Sequence, residues 1–350
     1  MTSSGRSAHR NPARRRRRES GQGRPRLKVR RPDELLAMIP YLIGFHPEES
    51  LVTVYVRSGR VALTARSDLP EQSSADAVAE QIDALAKRER ADALALVAYS
   101  AAALPAHRLL TRLMDQLGEH KLTDVLYVGH ARWWSLTCGD ECCPLGGTPF
   151  DLTSHPLSAA AVFAGLGARA SRRELQESVS GPAIADVPRL EALAETLLGE
   201  LEQLDDADQV VRLTASTIAA AMTDPNALDE RNCLLLGLLV MDLHLRDLAW
   251  ALISSATADD HLRLWGAVVA RVPPRFAAAP LCLLGMAAWL SGAGALLNCC
   301  CERLAEVAPD YSMGRLLGEI SAQALPPSLW HQMGGDVQAA LRAELALPAG

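Results

Sequence analysis

Two short stretches of this chain hold the residue types that do chemistry. The first is Gly44-Phe45-His46-Pro47-Glu48-Glu49-Ser50, in which an imidazole stands close to two carboxylates. Such a set can move protons near neutral pH, or hold a ligand through hydrogen bonds and charge. Asp68 and Arg132 are candidates for the same place, the arginine as a clamp for an anionic group. The second stretch is Cys138, Cys142, Cys143 and Pro144. Thiolates ligate metals, but zinc takes about four ligands, and only three cysteines are local. His130 and His155 are the nearest sources of a fourth. Zinc at Cys138, Cys142 and Cys143, a reactive thiol there, and simple loop packing all stay open. The Cys-x-x-Cys spacing of thioredoxin-type sites is absent. So are a Walker loop, a dinucleotide glycine fingerprint, His-Glu-x-x-His and Gly-x-Ser-x-Gly.

These residues need elements to position them. Pro32 followed by Asp33 and Glu34 opens a helix, because proline tolerates the first turn and carboxylates favour its positive end. Leu51–Arg57 alternates and is rich in Val, and Ser58-Gly59 turns it into a second strand, Arg60–Ser67. A helix is predicted over 75–90, a buried strand over 93–99, a helix over 106–119 and a strand over 123–128. A return strand follows at 133–137 and a short helix at 156–165, and Ser171 with Glu174 forms a capping box. This order predicts an α/β domain over 27–180 with a mixed, mostly parallel sheet. If the second strand runs parallel to 93–99 and 123–128, the first begins at their carboxyl edge. His46, Glu48, Glu49 and Ser50 would then share that edge with Asp68, Ser100, His130 and Arg132, where open α/β sheets bind ligands. Cys138 would lie at the opposite end.

From 187 to 346 the pattern predicts an all-α helical array, with helices over 188–204, 208–222, 228–254, 259–272, 281–291, 295–307, 312–324 and 328–345. Around Gly292–Pro309 the letters match half of a tetratricopeptide consensus, but no 34-residue period repeats. The uncharged run Phe276–Cys301 is long enough for a bilayer span, yet Pro280, Gly285, Gly292 and Gly294 interrupt it. Two buried helices joined at Gly292–Gly294 are predicted instead. Cys233, Cys282, Cys299, Cys300 and Cys301 fall in helical stretches and are expected to pack as small apolar residues.

Composition sets the frame. The chain has 350 residues, 49% of them hydrophobic and only 4% aromatic, enough for two aliphatic cores. Residues 1–31 carry a net charge of +11, within a chain whose net charge is −6. Residues 1–26 are expected to be a disordered basic leader, and the run Arg14–Arg18 is the sole hint of nucleic-acid or anionic-lipid attraction. No apolar stretch follows the arginines, so a secretion signal is not expected. The expected compartment is a reducing cytoplasm, where a disulfide framework is not anticipated.

Three blocks together resemble a known family. They are Arg31 to Leu36 continuing through Gly44 to Val52, then Arg132-Trp133-Trp134-Ser135 with the cysteines and Pro144, then Ala288 to Gly292 with Pro309 to Ser312. In this order they resemble a large actinobacterial family known only as a domain of unknown function, over about residues 27–330. The resemblance implies a bacterial cytosolic protein and no activity. The residues themselves point to a ligand- or partner-binding regulatory protein. Its α/β domain would hold a small anionic ligand or a protein, and its helical array would supply a docking surface. The alternative is an enzyme using His46 and Glu49, with or without a metal at the cysteines.

Overall fold

Pro32–Ile43 forms the first helix, α1, with Asp33 and Glu34 in its first turn as the sequence requires. Pro40 sits inside it, and the helix ends only before Gly44, whose φ of +88° suits glycine. The structure is a computed structural model and describes residues 27–138, 143–152, 154–204 and 206–330. Arg14–Arg18, Cys142 and the helix expected beyond Trp330 lie outside the described residues.

The strands of the α/β part are β1 (Ser50–Arg57), β2 (Arg60–Asp68), β3 (Ala93–Tyr99), β4 (Leu122–Gly129), β5 (Arg132–Ser135) and β6 (Thr148–Pro149). Helices α2 (Ala75–Glu89) and α3 (Ala103–Gln116) connect β2 to β3 and β3 to β4. α3 starts earlier than its periodicity suggests, because Pro105 is accommodated in the first turn. β1 and β3 are buried over most of their length, whereas β2 is exposed at both ends and half-buried in its middle, as befits an edge strand.

The sheet order is β2-β1-β3-β4-β5-β6. β3 and β4 are parallel, while β4–β5 and β5–β6 are antiparallel. Asp92 donates its N–H to the Val56 carbonyl at 2.8 Å, and its carboxylate accepts the Ser58 N–H at 2.6 Å. The end of β1 therefore meets the start of β3, so these two strands are antiparallel. The sheet is mixed, but it is not mostly parallel. β2, β3 and β4 do share one direction, yet β1 lies between β2 and β3 and separates them. Asp68, Ser100, His130 and Arg132 consequently fall at one edge, where β2, β3 and β4 end.

The described chain falls into two compact units. One holds the chain up to Tyr41 with Leu51–Leu63 and Ser67–Gly167. The other holds Leu42–Ser50, Thr64–Arg66 and everything from Ala168 on. The first includes α4 (Pro156–Phe163), capped by the His155 ring, which accepts the Leu157 N–H at 3.2 Å.

The second unit contains α5 (Arg172–Glu177), α6 (Val187–Leu201), α7 (Ala207–Thr223), α8 (Glu230–Leu239), α9 (Leu243–Ala251), α10 (Ala258–Val269), α11 (Ala278–Ser291), α12 (Gly294–Val307) and α13 (Ser312–Ala322). Ser171 caps α5 through the Glu174 N–H, as its motif predicts. The helix expected over 228–254 is instead two, α8 and α9. Asp242 breaks it by accepting the N–H groups of His244 and Leu245 at 2.9 and 3.1 Å. Asp242→Ala is expected to lower stability by about 1 kcal/mol, the usual worth of such a cap. Urea denaturation of the two proteins would test this, and coincident midpoints would refute it.

The uncharged run folds as the hairpin α11–α12, turned at Gly292 with φ +82°. α11 is buried at nearly every position and forms the centre of the helical unit. Among the described residues no helix is long and apolar enough to cross a membrane.

Candidate functional site

The turn that carries His46, Glu48 and Glu49 is fastened from several sides within the helical unit. Phe45 is buried and bridges to Arg169. The His46 N–H donates to the Arg169 carbonyl at 3.0 Å, and the Arg169 N–H donates to the Gly44 carbonyl at 2.8 Å. Ser50 is fully buried, and its hydroxyl donates to the Glu48 carbonyl at 2.5 Å. The same hydroxyl accepts Arg66 Nε at 2.9 Å, while the Arg66 guanidinium lies 5.7 Å from the centre of the Phe45 ring. Glu49 holds φ at +38°, a region that non-glycine residues enter only when their surroundings impose it.

On this base the side chains differ in state. Glu48 and Glu49 are exposed, and His46 is half-buried. Burial pushes the His46 pKa below its ordinary value, so the ring is neutral at pH 7. Among the described residues no hydrogen bond or ion pair engages that ring. A neutral imidazole beside exposed carboxylates can accept a proton or a hydrogen bond from whatever docks there.

Arg66 belongs to this arrangement and was not among the expected residues. Its signal lies in the hairpin: a two-residue turn at Ser58-Gly59 fixes the register, which carries Arg66 back to the level of Ser50.

The remaining candidates belong to the α/β unit. Asp68 is exposed at the end of β2. Arg132 Nη1 donates to the carbonyls of Gly146 and Gly147 at 3.1 and 2.8 Å, and Trp134 Nε1 donates to the Leu145 carbonyl at 3.1 Å. His130 Nε2 lies 3.0 Å from the Ala101 carbonyl, and Tyr127 donates its hydroxyl to the Ser100 carbonyl at 3.0 Å. The polar groups of this edge thus tie its loops together.

The cysteines lie elsewhere. Leu126 pairs with Ser135 and Gly129 with Arg132, so the chain runs from the His130 turn towards the opposite end of the sheet before reaching Cys138. Cys138 is disulfide-bonded, whereas reduced thiols were expected, and a disulfide sulfur offers no thiolate to zinc. Cys143 is not in a disulfide. Among the described residues no group of three or more His, Cys, Asp or Glu is placed to hold a metal. The helical cysteines pack as expected: burial pushes the thiols of Cys233, Cys299 and Cys301 up to about 11 and that of Cys282 up to about 12. These thiols are inert at neutral pH.

No curated protein and no solved structure matches the chain. The model of one family covers residues 32–328, which takes in the turn at His46, the whole sheet and all the helices named above. The chain is therefore a member of the DUF4192 family, a domain of unknown function.

Proposed function

We infer that the protein is a cytosolic binding or regulatory protein, and that the turn Gly44–Ser50 contacts its ligand or partner. The observation that carries this reading is the unengaged, neutral ring of His46 on a turn fastened by Ser50 and Arg66. Folding alone has no evident use for such a ring, and the φ of +38° at Glu49 is backbone strain of the kind that collects at functional sites. Arg132, the cation that suggested an anionic ligand, is drawn to the carbonyls of Gly146 and Gly147. The neutral His46 ring offers one donor and one acceptor nitrogen beside the exposed side chains of Glu48 and Glu49, so the group bound is best read as a polar one that donates to the ring's acceptor nitrogen. The helical unit would supply a docking surface, and the stretch Gly292–Pro309, which contains α12, is where its letters match half of a tetratricopeptide consensus.

A catalytic reading rests on the same ring, because a histidine held neutral at pH 7 is a competent base. The two readings share a first test. His46→Ala is expected to keep its melting transition, with a change inside about 0.5 kcal/mol as for an uncommitted surface residue. It should at the same time lose whatever small molecule or protein co-purifies with the wild type, read by native mass spectrometry. A large loss of stability would assign His46 to the fold and end the proposal. Turnover of the co-purifying species by wild type, absent in His46→Ala, would favour the enzyme.

A further inference from the structure

A second place in the helical unit gathers groups of both charges around an open space. A cleft of about 290 Å³ lies between α6, α8 and the end of α10, just under the roughly 300–1,000 Å³ of drug-sized ligand sites. Arg189, exposed, and Glu230, partly exposed, line it and are joined by two parallel hydrogen bonds, one of them Nη2 to Oε2 at 2.8 Å. That pair bridges α6 to α8 and leaves little of either group for a ligand. The Arg189 hydrogen bonds hold the Glu230 carboxyl below its ordinary range, with Arg271 adding a through-space contribution.

Two other charged residues of the cleft are less committed. Arg271 is half-buried and gives one hydrogen bond, to the Ala267 carbonyl of its own helix at 3.0 Å, with no ion pair among the described residues. Asp186 touches Arg189 only at 3.7 Å, too long for a hydrogen bond, and caps no helix with its side chain. The rest of the lining is aliphatic: Pro182, Ala183, Leu190 and Ala270. One guanidinium and one carboxylate with few partners therefore line a small space of mixed charged and aliphatic residues whose lining charges sum to zero.

We propose that this cleft binds a small aliphatic amino acid, its carboxylate on Arg271 and its ammonium on Asp186, with the side chain against Leu190 and Ala270. A simple anion would meet Asp186 and Glu230, and a simple cation would meet Arg189 and Arg271. A ligand carrying both charges matches the less committed donor, Arg271, and the less committed acceptor, Asp186, together.

Isothermal titration calorimetry of the full chain with L-leucine tests this, alongside 4-methylpentanoate, which lacks the amine, and 3-methylbutylamine, which lacks the carboxylate. L-leucine is expected to bind, and each analogue to bind about tenfold more weakly or worse, the loss typical of one charge-assisted contact. Arg271→Gln should abolish the preference for leucine over the amine, and Asp186→Asn the preference over the carboxylate. Asp186 is exposed and Arg271 only half-buried, so circular dichroism should show both variants folded. No heat with L-leucine at millimolar concentration would overturn the proposal. So would equal binding of either analogue, or unchanged leucine affinity in both variants.

Discussion

Gly129→Ala is expected to destabilise the α/β unit by about 1–3 kcal/mol, a sizeable share of the roughly 5–15 kcal/mol that holds a domain folded. Gly129 ends β4, and a Cβ built there would stand 2.3 Å from the Tyr127 hydroxyl and 2.6 Å from the Ser100 carbonyl oxygen. Neither neighbour is free to retreat. Tyr127 is fully buried and donates its hydroxyl to that carbonyl at 3.0 Å. Ser100 is pinned on its other side, its N–H donating to the Val128 carbonyl at 3.1 Å. Room for the methyl must come from breaking the Tyr127 bond, which leaves a buried phenol unsatisfied at a cost of about 1–3 kcal/mol, or from bending the β4 end, which adds overpacking strain of about the same size. Gly199→Ala is the matched control. Its Cβ in α6 would meet nothing within 4 Å, so the alanine should stabilise the helix by about 0.5–1 kcal/mol. Urea denaturation of the three proteins separates these cases. A Gly129→Ala midpoint equal to wild type would show that the edge of the sheet relaxes easily and that the tie between Tyr127 and Ser100 contributes little.

What the residues announce and what they conceal follows a physical division. Local signals were readable: the valine-rich alternation of β1, the continuous apolar run of β3, the glycines that turn α11 into α12, and the Ser171 cap of α5. Each depends on contacts within a few residues. The position of β1 between β2 and β3 is a tertiary choice, and no nearby residue encodes it. The break at Asp242 was hidden because Leu and Val continue the helical period through it, and an aspartate can serve as a surface residue or as a cap. The candidate site divides the same way. His46, Glu48 and Glu49 stand out by type, whereas Arg66 reads as an ordinary strand arginine until the hairpin brings it to Ser50. Arg132 was conspicuous as a cation, but its partners are backbone carbonyls of Gly146 and Gly147, which leave no mark in side-chain chemistry.

The helical unit should lose stability in mild acid, and His261 is the reason. This residue is 1% exposed. Its Nδ1 lies 3.2 Å from Trp265 Nε1, and an indole nitrogen can only donate, so Nδ1 must accept. The ring proton therefore sits on Nε2 and is donated to the Leu252 carbonyl at 3.2 Å, just beyond α9. A second proton would have to go on Nδ1, facing the indole N–H. Burial pushes the pKa down to about 4, against a partial upward pull from the Leu252 carbonyl and Asp260. In the unfolded chain the ring titrates near 6.5. Above that pH neither state is protonated, and the group has no effect on stability. Between 6.5 and 4 the unfolded state binds the proton and the folded state does not, so stability falls with pH, by about 2 kcal/mol at pH 5 and about 3 kcal/mol once pH 4 is passed. Urea unfolding of wild type and His261→Gln at pH 7.5 and pH 5 isolates this residue from the other titrating groups. The glutamine variant should be less stable at pH 7.5, yet its stability should fall by about 2 kcal/mol less than that of wild type on going to pH 5. Equal losses in the two proteins would mean that His261 is protonated in the native state, which would require the Trp265 contact to be broken.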